Sequence, residues 1–291
     1  MYKLYLLKKL FITLLFIAVS GALMSQQAVY KNPEFPVQER VRDLLPRMTL
    51  EEKVAQLTSF HPRRPKLDEA FLNNPAKMDS MFGKGTGMMN PRYNGELFAT
   101  VEMRNKLQNY LRTKTRLGIP VIFLDEGHHG LMRPGANVFP QAIGLACSWD
   151  PVLAEEVYNY IAREVNAWGT NMVLSPVVDI CRDPRWGRTG ETFGEDPYLC
   201  GIMGSALVKG FQGSSDGSIA PDHVGATLKH LVAYGEPEGG INQSTGNFSM
   251  RILREFHMES FRLCIENANH HLSWHLTMKL TAYPVMPTDG C

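Results

Sequence analysis

The sequence predicts an α/β fold, an incomplete TIM-type (β/α)8 barrel, and three observations carry that expectation. Short continuous apolar runs at 121–124, 172–174 and 224–229 read as buried parallel strands. Stretches of helical periodicity alternate with them, the pattern of a parallel α/β fold. Polar residues recur where strands end, at Glu126, Arg188, Lys229 and His230, and barrels of this type gather ligands at strand C-termini. No G-x-G-x-x-G, P-loop or G-x-S-x-G accompanies any strand, which disfavours dinucleotide, nucleotide and serine-hydrolase readings.

The elements follow in order. Residues 1–25 stand apart: Lys3, Lys8 and Lys9 precede an almost wholly apolar run at 10–19, followed by Ser20, Gly21 and Ala22. That is the pattern of a secretory signal peptide, and the run is short for a membrane span. Cleavage near Ser25 leaves 27 of the 30 basic residues against 29 acidic ones. The mature chain is expected to be exported, periplasmic or extracellular, with no stable membrane span. Residues 30–41 form a lead-in bearing proline and charge. Thr49-Leu-Glu-Glu52 is a capping box, and the helix behind it places Leu50, Val54 and Leu57 on one face. Residues 61–93 read as a long loop with room for a short helix, its Met78, Met81, Met88 and Met89 serving packing.

Residues 99–115 are helical, with Val101, Leu107 and Leu111 among the apolar positions. The strand at 121–124 then runs into Asp125-Glu126-Gly127-His128-His129-Gly130. Acid beside imidazole fits general acid/base chemistry, a metal site or a polar strand-end turn. The stretch is not H-E-x-x-H, and its spacing does not set two histidines on one helical face. An apolar run at 142–147 follows Phe139-Pro140. Asp150 caps a helix with Pro151 in its first turn, and Gly169 ends it.

After the strand at 172–174 comes the densest polar stretch, 177–197. It holds Arg182, Arg185 and Arg188 with Asp179, Asp183, Glu191, Glu195 and Asp196, interleaved with Trp186 and Phe193. Guanidinium forks and an aromatic plate suit a polyhydroxylated ligand, and a salt-bridged surface loop fits the same residues. Residues 197–211 are helical and end at Gly213. The strand at 224–229 leads to Lys229-His230, a Gly-rich loop at 234–246, and a helix at 250–267 opened by Ser249.

Composition narrows the function. The 291 residues are 44% hydrophobic and 20% charged with net charge +1, so no basic field argues for nucleic acid. Five widely spaced cysteines without C-x-x-C suggest neither zinc nor a disulfide framework. No motif calls for a cofactor or a metal.

Taken together these motifs resemble the N-terminal domain of glycoside hydrolase family 3, in its β-glucosidase and β-xylosidase branch. The resemblance runs in family order through MTLEEKVAQL at 48–57, GIP at 118–120, HG at 129–130 and FP at 139–140. It continues through SPVVD at 175–179, RDPRWGR at 182–188, ETFGEDP at 191–197, KH at 229–230 and YGEPEGG at 234–240. It implies a barrel that binds a terminal, non-reducing sugar of an oligosaccharide or β-glycoside. Glu126, Arg188, Lys229 and His230 match the family's sugar-binding positions, with Trp186 and Phe193 packed beneath. It also implies retaining hydrolysis of β-linked glucose or xylose, with an Asp nucleophile and a Glu acid/base. Neither catalytic position falls within this chain.

The resemblance stops after FRLCIENA at 261–268. Read from the third base of each codon, residues 270–291 permit S-V-M-A-S-Y-N-E-I-D-G-I-P-G-H-A-N-R-W-L, which is the family's continuation, and the dipeptides Trp274-His275, Met278-Lys279 and Met286-Pro287 force Ala, Glu and Ala in agreement with it. The expected organisation is therefore a signal peptide at 1–25, a partial barrel domain at 26–268, and an aberrant, frameshift-like tail at 269–291. Two other functions fit the residues: a sugar-binding fragment without turnover, and a metal hydrolase using Glu126, His128 and His129.

Overall fold

The computed structural model describes residues 28–60, 67–90, 96–269 and 273–275. The expected signal peptide and most of the expected tail lie outside them. The chain divides into two compact units, 1–54 and 55–291.

In the first unit, helix α1 (Val37–Leu44) follows a short turn at Val29–Lys31. Tyr30 N–H donates to Asp43 Oδ2 at 3.1 Å, and Arg47 pairs with Asp43 at 2.6 Å. The capping box before helix α2 (Leu50–Gln56) forms as the sequence predicts. Thr49 N–H donates to Glu52 Oε2 at 2.9 Å, and Glu52 N–H donates to Thr49 Oγ1 at 3.3 Å. The apolar positions Leu50, Val54 and Leu57 are nevertheless exposed. Periodicity tells which positions share a face, not whether that face is covered.

In the second unit the strands are β1 (Ser59–Phe60), β2 (Met88–Met89), β3 (Ile122–Asp125), β4 (Met172–Val173), β5 (Leu228–Leu231) and β6 (Ser273–His275). Each pairs in parallel with the next along the chain: Ser59 with Met88, Met89 with Phe123, Leu124 with Met172. Bridges Met172 to Gly225 and Val177 to Lys229 carry the order on to β5, and β5 takes β6. A doubly wound sheet reverses its strand order at a switch point. Here the order never reverses, which is how a (β/α) barrel is wound, and the expected partial barrel is observed.

The helices between strands follow their caps. Helices α3 (Glu69–Leu72) and α4 (Pro75–Phe82), with β2, occupy the segment expected to be a long loop. Met78 and Met89 are buried there with Phe71, Phe82, Leu107 and Phe123, the packing role expected of the methionines. Helix α5 (Leu97–Lys114) buries Leu107 and Leu111. The apolar run at 142–147 is a short helix, α6 (Ala142–Ala146). Before α7 (Pro151–Ala167), Asp150 Oδ1 accepts from the N–H groups of Val152 and Leu153, each at 3.0 Å. Helix α8 (Pro197–Gln212) ends on Gly213 at φ 68°, the left-handed C-cap its glycine predicts.

The helix expected at 250–267 is interrupted. α9 (Met250–Ile252) gives way to a π-helical stretch at Leu253–His257 before α10 (Glu259–Ala268). The widened stretch seats His257 between the rings of Phe248 and Phe256, at 4.7 and 5.2 Å. Helix α8 packs between α7 and α10, so Tyr158, Ile161, Met203, Leu207, Phe211 and Cys264 join one core. No described helix is long and apolar enough to cross a membrane.

Candidate sugar-binding site

The site begins where β3 ends. Asp125, the last residue of the strand, is buried. It accepts from Arg104 at 2.7 Å, from Thr170 at 2.6 Å and from Arg133 at 2.6 Å. These bonds lock the strand end to α5, to the turn before β4 and to the loop after residue 130. Gly127 then turns the chain at φ 69°, with Val173 Cγ1 only 2.9 Å from where a Cβ would stand. A side chain has no room in that turn. The turn throws Glu126 outward and sets His128 behind it, where the Tyr158 hydroxyl donates to the His128 carbonyl.

From β5, Lys229 rises under Glu126. Its side chain is only 6% exposed, and Nζ lies 2.8 Å from Glu126 Oε2 and 3.3 Å from His128 Nε2. His230 is equally buried. Its Nδ1 stands 2.7 Å from Asp179 Oδ2, which also accepts the His230 N–H at 2.9 Å. The other oxygen of Asp179 accepts Tyr234 N–H at 3.1 Å. A fully buried carboxylate thus meets three donors, the condition for burying a charge without large cost.

Arg188 forms a fork with Glu191, Nε to Oε1 at 2.8 Å and Nη2 to Oε2 at 2.7 Å. Its Nη2 also lies 3.4 Å from His230 Nε2. The guanidinium sits 5.2 Å from the Tyr234 ring centroid and 5.8 Å from that of Trp186. Trp186 and Phe193 are buried, so they pack beneath the site as the resemblance implies.

A cavity of about 460 Å3 opens between the two halves, lined by Glu126, His128 and His129 on one side and Gly190 and Glu191 on another, with Arg133 nearby. Its size suits a small ligand. Of the four predicted residues, Glu126 lines it directly. Lys229 stands behind Glu126, Arg188 behind Glu191, and His230 behind Arg188. The four are linked through His128, whose Nε2 is 3.2 Å from Glu126 Oε2 and 3.6 Å from Glu191 Oε2.

The electrostatics favour ionised acceptors. Burial pushes the Glu126 carboxyl up, but the His128 contact, the Lys229 hydrogen bond and the Lys229 charge outweigh it and hold the group well below the usual carboxylate range. Burial acts likewise on Glu191 and is outweighed by the bonds from Arg188. Burial pulls Lys229 down from its ordinary value, opposed by Glu126. For Arg188 the pull of burial loses to Glu191, so its guanidinium is held more firmly charged. The cavity is therefore walled by two carboxylates that only accept, each backed by a cation that only donates, and such carboxylates match sugar hydroxyls.

Three members escaped the sequence-based choice of sugar contacts. In the sequence His128 belongs to an acid–imidazole stretch open to acid/base, metal or turn readings, and Asp179 and Glu191 fall in family motifs without a sugar-binding role assigned to them. Glu191 follows Arg188 by three residues, a spacing that allows the observed fork. Asp179 interrupts the apolar run 177–180, and an acid in such a run needs buried partners. Among the described residues no group of three or more His, Cys, Asp or Glu side chains is placed to hold a metal ion.

Comparison with known proteins shows the family. The model of the glycosyl hydrolase family 3 N-terminal domain matches residues 49–277. A putative β-xylosidase of Formosa agariphila is 35% identical over 249 residues, covering 84% of this chain and 33% of the relative. A periplasmic β-glucosidase of Salmonella typhimurium is 35% identical, covering 76% of this chain and 27% of the relative. The structure of a β-glucosidase from Erythrobacter marinus superposes with a TM-score of 0.77 at 27% identity, covering 89% of this chain and 34% of that one. A β-glucosidase mutant of Listeria innocua, solved with laminaribiose, gives a TM-score of 0.70 at 30% identity, covering 84% of this chain and 33% of that one. The chain spans about a third or less of the length of these relatives.

Proposed function

Because the chain belongs to the family of glycosyl hydrolase family 3 N-terminal domains, we propose that it supplies the sugar-recognising half of a glycosidase. Its ligand is the terminal, non-reducing β-linked glucose or xylose of an oligosaccharide or β-glycoside. The observation that carries this reading is the cavity at the strand C-termini, walled by Glu126 and Glu191 and backed by Lys229, Arg188 and His230. In this reading hydrolysis proceeds with retention, through an Asp nucleophile and a Glu acid/base that lie outside these 291 residues. The relatives named β-xylosidase and β-glucosidase support the substrate class.

The organisation proposed with it is a signal peptide at 1–25, a partial barrel domain at 26–268 and a frameshifted tail at 269–291, with the mature protein exported to the periplasm or beyond. Sequencing the locus decides the tail: a gene with an uninterrupted stop after codon 291 and no downstream family sequence would remove it.

The function is tested by titrating the full chain with D-glucose and D-xylose in a calorimeter and assaying nitrophenol release from an aryl β-glucoside. The expected result is saturable sugar binding that R188A weakens at least about tenfold, the loss of a charged hydrogen bond, without nitrophenol release. Absence of sugar binding by folded wild-type chain would overturn the reading. Turnover abolished by a chelator would overturn it as well.

A further inference from the structure

His128 occupies a position that sugar recognition does not by itself explain. One ring nitrogen, Nε2, stands 3.2 Å from Glu126 Oε2, 3.6 Å from Glu191 Oε2 and 3.3 Å from Lys229 Nζ. These partners come from three separate places: the turn after β3, the turn at Thr189–Glu191, and β5. From α7, the Tyr158 hydroxyl donates to the residue's backbone carbonyl. The imidazole lines the cavity together with both carboxylates.

We propose that His128 is a positioning residue of the sugar site, seated between Glu126 and Glu191 where it fixes the Lys229 ammonium against Glu126, and that it couples sugar affinity to the protonation of a single imidazole. The inference rests on the sugar-binding reading above. A ring nitrogen carries a lone pair or a proton, never both. With the proton on Nδ1, Nε2 accepts from Lys229, and Glu126 and Glu191 keep free lone pairs for sugar hydroxyls. The charges then balance, two carboxylates against Lys229 and Arg188. When the ring gains a second proton, Nε2–H turns to the carboxylates and occupies the acceptors that a sugar would use. It also sets a second positive charge 3.3 Å from the Lys229 ammonium. The protonated ring therefore competes with the ligand.

The environment sets the sign. Burial first, and the Lys229 charge with it, push the imidazole below its ordinary 6.5, against the upward pull of Glu126 and Glu191. The ring is neutral near pH 7, and affinity falls as pH drops through a value below 6.5.

The test is calorimetric titration of the full chain with D-glucose from about pH 8 to about pH 4.5, the range in which histidines change charge, for wild type, H128Q and H128L. Circular dichroism checks the fold of each variant. A glutamine accepts from Lys229 through its amide oxygen and does not titrate. H128Q is expected to keep most of the high-pH affinity and to lose the acid branch of the profile that wild type shows. H128L is expected to bind about tenfold more weakly throughout, the loss of one charge-assisted contact. Folded H128L and H128Q that both follow the wild-type curve would overturn the inference while leaving sugar binding intact. Wild type that binds no glucose at any pH would fail the sugar-site reading itself, and the inference with it.

Discussion

At the scale of single residues, the site is held by buried charges bonded to one another. Asp179 is the most exacting. Its side chain is fully buried, and its two oxygens take the His230 ring, the His230 N–H and the Tyr234 N–H. D179N keeps the shape but replaces one acceptor with an NH2 that faces donors. Leaving buried donors unmet costs about 1–3 kcal/mol each, so D179N is expected to lose about 3 kcal/mol, read as a lower denaturant midpoint at unchanged slope. A variant as stable as wild type would show that the carboxylate is dispensable to the fold. The same residue shows how far the sequence could be read. Glu126, Arg188, Lys229 and His230 stand out in the sequence because they sit at strand ends or in motifs that carry the resemblance. Asp179, Glu191 and His128 become visible only once β3, β5 and the intervening turns are brought together, because their partners lie up to 101 positions away.

At the scale of elements, caps and turns were legible and short strands were not. Asp150, Ser249 and Gly213 each act where the sequence places them, since a cap is a local bond between neighbours. Strands β1 and β2 have two residues each, too few to show any alternation, and only their parallel neighbours make them strands. Helix α8 owes its burial to its glycines as much as to its apolar residues. A Cβ on Gly204 would stand 2.6 Å from Val178 Cγ1 and 2.8 Å from Cys264 Sγ, so α8 lies close against both the strand-end segment and α10. Two opposed effects decide G204A. Helix propensity favours alanine by up to about 1 kcal/mol, while overpacking a filled core costs about 1–3 kcal/mol. Both close contacts are with buried side chains that have little room to move, so overpacking wins. The expected net is a loss of about 1–2 kcal/mol and a lower melting temperature, and a variant that melts higher than wild type would show that the α8–α10 contact yields more readily than its packing implies.

At the scale of the whole molecule, the strand order carries a consequence of its own. Six strands follow one another in parallel without reversal, and among the described residues β1 pairs with β2 alone and β6 with β5 alone. A barrel satisfies its outermost strands by pairing them with further strands until the sheet closes. Strands that end a sheet instead present unpaired N–H and C=O groups, which recruit other chains. The apolar residues that a closed barrel would bury between such strands and their neighbours act in the same direction. The 291-residue chain in isolation is therefore expected to associate as concentration rises and to melt over a broad range. Sedimentation velocity across a dilution series, with calorimetry alongside, reads both. Growth of sedimentation coefficient with concentration and a calorimetric enthalpy well above the van't Hoff value are expected, since a loosely held edge unfolds apart from the core. A concentration-independent monomer with a single cooperative transition would mean that the edges of β1 and β6 are covered within the chain itself, and that the sheet as it stands is a finished structure.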